Sequence, residues 1–301
     1  MELRHLKFFV AVAEEGSLTT AAQKRLHTAQ PSLSRQIRDL EYEVGTELFS
    51  RSVKGVELTP AGRAFLDHAR LALAQVEAAV SAARRASEPA RTSFALGFLT
   101  GMEMEWLPQA MRILRDELPN IDVTVSSQYS PDLADALMRG KLDLAFMRRE
   151  TGMPDLEYRL VLCEPIMVVM PSDHRLAKKK SVTAKEIAKE PFIHMSGTAP
   201  VFRQVIDDFF AKHGFSVKTD LKIDNLGMAM SLVASTRALT LLPRYAKNFL
   251  TWSVTSRPIE GDDSPTIDLV VGYNKANRSP VLKLFLSRID DLVSRVAESP
   301  A

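Results

Sequence analysis

Residues 17–45 read SLTTAAQKRLHTAQPSLSRQIRDLEYEVG, and this pattern predicts two short helices joined by a tight turn. Ser17 suits the N-cap of the first helix, since its hydroxyl can accept from a free N–H group. Pro31 stands in the first turn of the second helix, where its missing N–H costs nothing, and Gly45 ends that helix. The apolar stripe of the second helix is formed by Leu33, Ile37, Leu40 and Val44. Two such helices form a helix-turn-helix, whose second helix enters the major groove of DNA.

The charges of the chain are unevenly distributed. The whole chain has 39 Lys and Arg against 37 Asp and Glu, which by itself argues against a nucleic-acid partner. The segment 17–38, however, has four basic residues and no acidic one, whereas the chain from Thr92 onward has 26 of each. A positive field on the helix-turn-helix is what a phosphate-facing surface requires. The alternative is that these four cations are only a solvated face.

The second helix of the motif supplies the candidate DNA contacts. With the apolar stripe turned inward, the candidates are Gln30, Pro31, Ser32, Ser34, Arg35 and Arg38. Glutamine and arginine make paired hydrogen bonds to the edges of adenine and guanine, respectively. We expect the serines to contact phosphates or backbone. Residues 48–58 predict a hairpin-like wing, from which Arg51 and Lys54 would reach the flanking DNA backbone.

A long helix is predicted from Thr59-Pro60 to a stop before Pro89. Its apolar residues recur at spacings of four and three, with a seven-residue repeat beside them: Phe65, Ala69, Ala72, Val76, Ala79, Ala83 and Ala86, with Leu66, Leu73 and Val80. Such a heptad stripe favours pairing with the same helix of a second copy. The alternative is packing on the helix's own domain.

Beyond residues 87–92 (SEPART) the pattern changes to alternating strands and helices, which predicts α/β structure with a parallel sheet. Strands are expected at 94–99, 121–126, 142–147, 166–170, 192–195, 218–224, 239–242 and 267–273, and helices at 104–117, 131–139, 200–213, 226–236 and 280–297. Two chain crossings, near 163–165 and 264–267, indicate two lobes with the C-terminus returning to the first.

A crevice between two α/β lobes is the expected ligand site, because ligands bind at the carboxyl ends of the strands. Helix starts after residues 100–102 and 196–198 offer free N–H groups to a carboxylate. Arg148 would add positive charge. The candidate lining is Thr100, Gly101, Met102, Gln128, Arg148, Ser196, Val201, Phe202 and Asn225. The alternatives are that Met102 and Phe202 are plain core residues, and that Arg148 and Arg149 are solvated surface residues or pair with Glu150.

Several functional classes lack their sequence signals. The longest apolar run has six residues, Phe8–Ala13, against about 18 for a membrane span. No secretion signal, metal-ligand spacing or catalytic motif is evident, and Cys163 has no second cysteine to pair with. We therefore expect a cytoplasmic, nucleoid-associated protein without catalytic residues, metal or cofactor. Two interpretations compete with this one: a two-lobed binding protein without a regulatory role, and an enzyme that uses the crevice.

The N-terminal residues carry a family resemblance. MELRHLKFFVAVAEEGSLTTAAQKRLHTAQPSLSRQIRDLEYEVGTELFSRS, continued by VELTPAGRAFL, resembles the LysR-type transcriptional regulators, and the two-lobed remainder resembles their effector domain. The family's Gln-Pro-x-x-Ser-Arg segment lies on the recognition helix and falls here on Gln30, Pro31, Ser34 and Arg35. The resemblance implies a winged helix-turn-helix with a dimerisation helix, joined to a periplasmic-binding-protein-like effector domain.

The resemblance also implies domain limits and partners. The expected limits are 1–58 for the DNA-binding domain, 59–87 for the dimerisation helix, 88–92 for a hinge and 93–301 for the effector domain, with lobe I at 93–163 and 267–301 and lobe II at 164–266. The implied partners are double-stranded promoter DNA, RNA polymerase, a second copy within a homotetramer, and a small-molecule effector. FMRR, LLPRYAKNF and RPIEG resemble members that sense aromatic carboxylates.

Two local features depart from the family pattern. One extra residue lies between Ala22 and Leu26, which would lengthen the second helix or the turn. The other is 235–238 (STRA), where the family places glycines. We expect that non-glycine turn to avoid positive φ.

Overall fold

The computed structural model describes residues 1–52, 55–87, 93–215, 221–261 and 264–298. It divides the chain into two compact units, Met1–Ser87 and Glu88–Ala301. The expected hinge at 88–92 and the wing residue Lys54 lie outside the described residues. No helix in the described part of the chain is long and apolar enough to span a membrane.

The first unit is helical with a two-stranded wing. Its elements are α1 (Leu3–Glu15), α2 (Leu18–Thr20) continued by a π-helical turn (Ala21–Arg25), α3 (Gln30–Val44), β1 (Phe49–Ser52), β2 (Gly55–Leu58) and α4 (Pro60–Ser87). Strands β1 and β2 pair in antiparallel register. The core centres on Phe9, whose ring centroid lies 5.0 Å from those of both Phe49 and Phe65. Helix α1, the wing and α4 therefore share one core with the stripe of α3.

Helix α4 has a divided apolar stripe. Thr59 caps it by accepting from the Gly62 N–H at 2.9 Å. The first half of the stripe packs on the core of its own unit through Ala61, Phe65, Leu66, Ala69 and Leu73. The second half is solvent-exposed in the single chain at Ala79 and Val80. The alternative of packing on its own domain is thus correct for the first half of the stripe.

The second unit contains two lobes that share long strands. Its elements are β3 (Ser93–Leu99), α5 (Glu103–Glu117), β4 (Asp122–Gln128), α6 (Ser130–Met138), β5 (Leu144–Met147), β6 (Leu156–Pro171), α7 (Ala184–Ile187), β7 (His194–Met195), α8 (Pro200–Lys212), β8 (Lys222–Ile223), α9 (Leu226–Thr236), β9 (Thr240–Pro243), β10 (Val254–Pro258), β11 (Thr266–Asn274), α10 (Pro280–Ser287) and α11 (Ile289–Glu298). Short 3₁₀ segments occupy Arg175–Lys178 and Arg244–Phe249. The lobes have separate hydrophobic cores.

The sheet of the first lobe is mixed, so the expectation of a wholly parallel sheet is wrong. Strand β3 pairs in parallel with β4 and β5. Strand β11, however, inserts antiparallel between β5 and β6. The chain returns from the second lobe along β11, and an apolar run in a sequence does not encode strand direction.

The crossing between the lobes is continuous β structure. Strand β6 pairs with β11 up to Pro165↔Thr266 and then pairs with β9 and β10 in the second lobe. The sequence pattern indicated only residues 166–170 because exposed side chains such as Glu157 interrupt the first half of the strand. The single helix expected at 280–297 is divided at Arg288 into α10 and α11.

The turn after α9 corrects a second expectation. Arg237 adopts φ +61° as the C-cap of α9, although it is not glycine. Its N–H donates to the Val233 carbonyl, and its guanidinium pairs with Asp173 at 3.0 Å. Left-handed backbone is uncommon for such a residue. The helix-ending hydrogen bond and the ion pair oppose the conformational cost.

Candidate functional site

Helix α3 presents the face expected of a recognition helix. Leu33, Ile37 and Leu40 are fully buried in the core of the first unit. Six candidate positions lie outside this stripe: Pro31, Ser32, Arg35 and Arg38 are exposed, and Gln30 and Ser34 are half-buried. Arg35 and Arg38 make no ion pair with any described residue, so their guanidinium groups face solvent.

The extra residue before Leu26 is accommodated in the π-helical turn. The Leu26 N–H donates to the Ala21 carbonyl at 3.0 Å, five residues back instead of four. A π-turn takes up one additional residue without breaking the helix. Ala21 and Ala22 remain fully buried, and the following turn passes through His27 at φ +47°. The packing of α3 is therefore kept despite the longer first helix.

One of the four cations in the motif is neutralised by a neighbour. Arg25 forms an ion pair with Glu14 of α1, and Arg70 of α4 pairs with the same carboxylate at 2.8 Å. Burial opposes ionisation of Glu14, but the hydrogen bonds from Arg70 and Arg25 lower its pKa below the usual value. Lys24, Arg35 and Arg38 have no ion-pair partner within the described ranges. These three residues carry the available positive charge.

The wing is anchored to the recognition helix. Glu41 Oε1 on α3 accepts from the backbone N–H groups of Leu48 and Phe49, at 2.9 and 3.0 Å. The backbone of Arg51 lies on β1, but its side chain and all of Lys54 lie outside the part of the chain that is described. Their proposed contacts with DNA stay predictions.

A cavity open to solvent lies between the two lobes of the second unit. Five of the candidate lining residues contribute to it: Thr100, Arg148, Val201, Phe202 and Asn225. Sequence reasoning missed several others, notably Tyr129, Ser130, Glu150, Leu242 and Tyr245. The lining is predominantly apolar, as small-molecule sites usually are.

Four candidate lining residues lie outside this cavity: Gly101, Met102, Gln128 and Ser196. Met102 is buried in the core of the first lobe, which was the alternative interpretation. Ser196 Oγ contacts the Thr198 hydroxyl at 2.8 Å, and its N–H donates to the Ile223 carbonyl. Gln128 lies at the end of an edge strand, where its carbonyl accepts from the Thr100 N–H.

The helix start after β3 is already satisfied, so the expected carboxylate site there is wrong. The Gly101 N–H donates to Glu103 Oε2 at 2.7 Å. The N–H groups of Thr100 and Met102 donate to backbone carbonyls at 3.1 and 2.8 Å. The acidic side chain at the start of α5 thus takes the place that an anionic ligand would occupy.

The start of α8 differs from that of α5. Val201 and Phe202 line the cavity, and their N–H groups have no acceptor among the described residues. Free N–H groups and the positive end of the helix dipole favour a bound anion. Of the two helix starts expected to hold a carboxylate, only α8 keeps free donors.

Arg148 lines the cavity but is committed to a buried network. Its guanidinium donates to Glu164 Oε2 at 3.0 Å and to the Asp268 carbonyl at 2.9 Å. Glu164 Oε1 accepts from the Tyr245 N–H at 2.7 Å. Burial raises the pKa of Glu164 above its usual value, although Arg148 acts in the opposite direction. The expected alternative partner, Glu150, is therefore wrong, and the real partner lies at the crossing between the lobes.

Two tyrosines join the lobes across the cavity. The Tyr129 hydroxyl at the start of α6 donates to the carbonyl of Asp224 in the second lobe. The Tyr245 hydroxyl donates to the Thr100 carbonyl at 3.3 Å. Burial raises the pKa of Tyr245 well above its usual range, so it stays a neutral donor. Closure of the lobes thus depends on groups that also line the cavity.

A helix-turn-helix whose exposed cations have no partner among the described residues, together with a two-lobed domain around an apolar cavity, defines the class of ligand-responsive DNA-binding regulators. No cluster of three or more metal-ligating residues occurs within the described ranges. Residues 3–63 match the bacterial regulatory helix-turn-helix protein, lysR family. Residues 87–293 match the LysR substrate binding domain. The chain belongs to the LysR family of transcriptional regulators, which confirms the fold class and the family inferred from the sequence.

Several named relatives match over the whole chain. The Hca operon transcriptional activator HcaR of Escherichia coli (strain K12) is 35% identical over 300 residues, covering 98% of this chain and 99% of that protein. The HTH-type transcriptional regulator AlsR of Bacillus subtilis (strain 168) is 31% identical over 302 residues, covering 100% and 99%. The crystal structure of full-length BenM aligns with a TM-score of 0.61 at 27% identity, covering 100% of both chains. These relatives are named as transcriptional regulators and not as enzymes.

Proposed function

We propose that this regulator binds promoter DNA as a homodimer or homotetramer and changes its action when a small carboxylate enters the cavity of its effector domain. The proposed DNA contacts are Gln30, Pro31, Ser32, Ser34, Arg35, Arg38, Arg51 and Lys54. The proposed division is 1–58 for DNA binding, 59–87 for dimerisation, 88–92 as a hinge and 93–301 for effector binding, with lobes at 93–163 plus 267–301 and at 164–266. The observation that carries the proposal is the exposure of Arg35 and Arg38, which have no ion-pair partner among the described residues, on a helix whose other face is buried.

The carboxylate is proposed from the chemistry of the cavity. The free N–H groups of Val201 and Phe202 at the start of α8 suit an anion. The guanidinium of Arg148 also lines the cavity, but its charge is paired with Glu164. The remaining surface is mainly apolar, including Leu99, Ile223 and Leu242. An aromatic carboxylate combines an anionic group with an apolar body, the two properties that this lining favours.

The response to the ligand is proposed to reach the transcription machinery. An effector shifts an equilibrium only through different affinities for two states of the protein. The two lobes, joined by Tyr129 and Tyr245 across the cavity, provide such an element. HcaR is named an activator, and activation by this chain would proceed through contact with RNA polymerase at the bacterial nucleoid.

Arg35→Ala tests the DNA-binding half of the proposal. We expect the variant to bind its operator about 5- to 150-fold more weakly, equivalent to about 1–3 kcal/mol for a lost bidentate contact to guanine. We also expect relaxed preference at one base pair. Fluorescence anisotropy would measure both effects, using a duplex that the wild-type chain selects from a random pool and its single-base variants.

Arg70→Ala is the matched control. Arg70, on α4, is a cation of the same unit but is paired with Glu14 of α1, so its loss should change operator affinity much less. Unchanged affinity and unchanged base preference in Arg35→Ala would remove Arg35 from the residues that read bases.

A further inference from the structure

Glu150 lies on the lining of the effector cavity, two residues beyond Arg148. Its side chain is half-buried, and its Oε1 atom is closed off from solvent without a hydrogen-bond partner among the described residues. Burial raises the pKa of Glu150, which reflects the water that this carboxyl has lost. Buried polar atoms in folded proteins nearly always have a partner. The missing partner of Oε1 therefore points to something that enters the cavity.

Most of the other polar side chains of the lining have a hydrogen-bond partner within the protein. Five are engaged in hydrogen bonds described for this chain: Tyr129, Ser130, Arg148, Asn225 and Tyr245. Tyr129 and Tyr245 donate across the lobes, Asn225 caps α9, Ser130 accepts from the Arg148 N–H, and Arg148 donates to Glu164. None of them is directed to the Glu150 carboxyl. Glu150 Oε1 thus accepts no hydrogen bond from the described residues and is open to a donor on a ligand.

A ligand with only a carboxylate does not satisfy this cavity. Its anionic group fits the free N–H groups at the start of α8 near Val201, but it offers no donor to Glu150. It would leave a buried acceptor unpaired, and a second negative charge nearby would be repelled. A ligand that also carries an O–H or N–H group on its apolar body satisfies both ends.

We propose that Glu150 Oε1 accepts a hydrogen bond from the effector, so that the effector is a carboxylate carrying a hydroxyl or amino donor on its apolar body. This inference rests on the proposed carboxylate effector and narrows its chemical class. Glu150 then acts as a specificity residue that distinguishes hydroxylated from unsubstituted ligands.

The test uses matched probes and isothermal titration calorimetry on the full chain. The probes are benzoate and 3-phenylpropanoate, each with its three ring-hydroxylated isomers. Because hydrogen bonds to charged groups are strong, we expect one hydroxylated isomer to bind wild type about 10- to 100-fold more tightly than its parent. In Glu150→Leu this ratio should fall to near one. In Glu150→Gln, which keeps an amide oxygen, a reduced preference should remain.

Further variants separate the possible failures. Glu298→Gln removes an exposed carboxylate in α11 and should keep the wild-type ratio. Val201→Trp fills the cavity and should abolish binding of all probes.

Parent carboxylates that bind wild type but not Val201→Trp, without any hydroxyl preference, would overturn the role of Glu150 and leave the proposed function standing. A hydroxyl preference that persists in Glu150→Leu would overturn that role as well. If none of the eight probes binds wild type, the carboxylate effector fails and the inference fails with it. Thermal unfolding curves check that each variant is folded.

Discussion

Arg148→Ala is expected to lower the free energy of unfolding by about 3–5 kcal/mol, because it leaves the buried Glu164 carboxylate without its cation. Both side chains are almost fully buried, with 4% and 3% of their surface exposed. The same change removes the hydrogen bond to the Asp268 carbonyl that connects β5 with β11. Chemical denaturation followed by circular dichroism would measure the loss.

The free energy of unfolding lost in Arg148→Ala should depend on pH in a defined direction. In the folded chain, burial already holds the pKa of Glu164 above 4.5, and losing Arg148 raises it further. Between the unfolded and folded pKa values the folded state binds the proton more strongly, so stability falls as the pH rises. The loss in Arg148→Ala should therefore be greatest at neutral pH and shrink as the pH falls toward 4.5.

Arg149→Ala provides the control for this prediction. Arg149 is exposed and lies over the ring of Tyr158 at 5.4 Å, so its loss should cost less than about 1 kcal/mol. The double change Arg148→Met with Glu164→Leu should recover most of the stability, since no unpaired charge remains. A loss below about 1 kcal/mol in Arg148→Ala would show that the pair does not hold the crossing together.

Val80→Glu is expected to convert the protein to a monomer and to weaken binding of a two-half-site operator about 100-fold or more. Val80 is 46% exposed in the single chain, and glutamate is a good helix former, so the fold of its own unit is not disturbed. In a paired α4 the same position would bury a charge against an apolar stripe. Analytical ultracentrifugation and anisotropy titration would measure the two effects.

Gln75→Glu is the corresponding control, because Gln75 is exposed on α4 but lies off the apolar stripe. It should leave the oligomeric state unchanged. If Val80→Glu keeps the oligomeric state of wild type, the second half of the stripe does not form the proposed dimer interface.

The helix-turn-helix could be predicted from the sequence because helical spacing and capping residues indicate the same helices. Helical spacing placed Leu33, Ile37 and Leu40 inward, and the structure buries all three. Ser17 caps α2, the first helix of the motif, as expected, and accepts from the Thr20 N–H at 3.3 Å. The charge count did not show that Arg25 is paired, since its partner Glu14 lies on a different helix and such a pair leaves no pattern in the sequence.

The cavity was predicted only in outline, for a physical reason. Strand ends and helix starts indicate where a crevice forms, but they do not show whether its N–H groups are already bonded. Glu103 satisfies one helix start, whereas Val201 and Phe202 leave the other open. The partner of Arg148 lies on a strand whose first half the sequence pattern did not indicate, so the pair with Glu164 was not foreseeable.

Ligand-responsive regulation is tested directly by measuring whether a ligand in the effector cavity changes the complex with DNA. An end-labelled operator duplex reports both the bound fraction and the DNA bend by fluorescence energy transfer, with and without a saturating carboxylate found by calorimetry. We predict that the ligand shifts operator affinity by about 5- to 150-fold, or changes the bend, in wild type. Val201→Trp should still bind the operator but give no response. If neither the bound fraction nor the bend of the wild-type complex changes at saturating ligand, the claim that this chain is a ligand-responsive regulator through that cavity is contradicted.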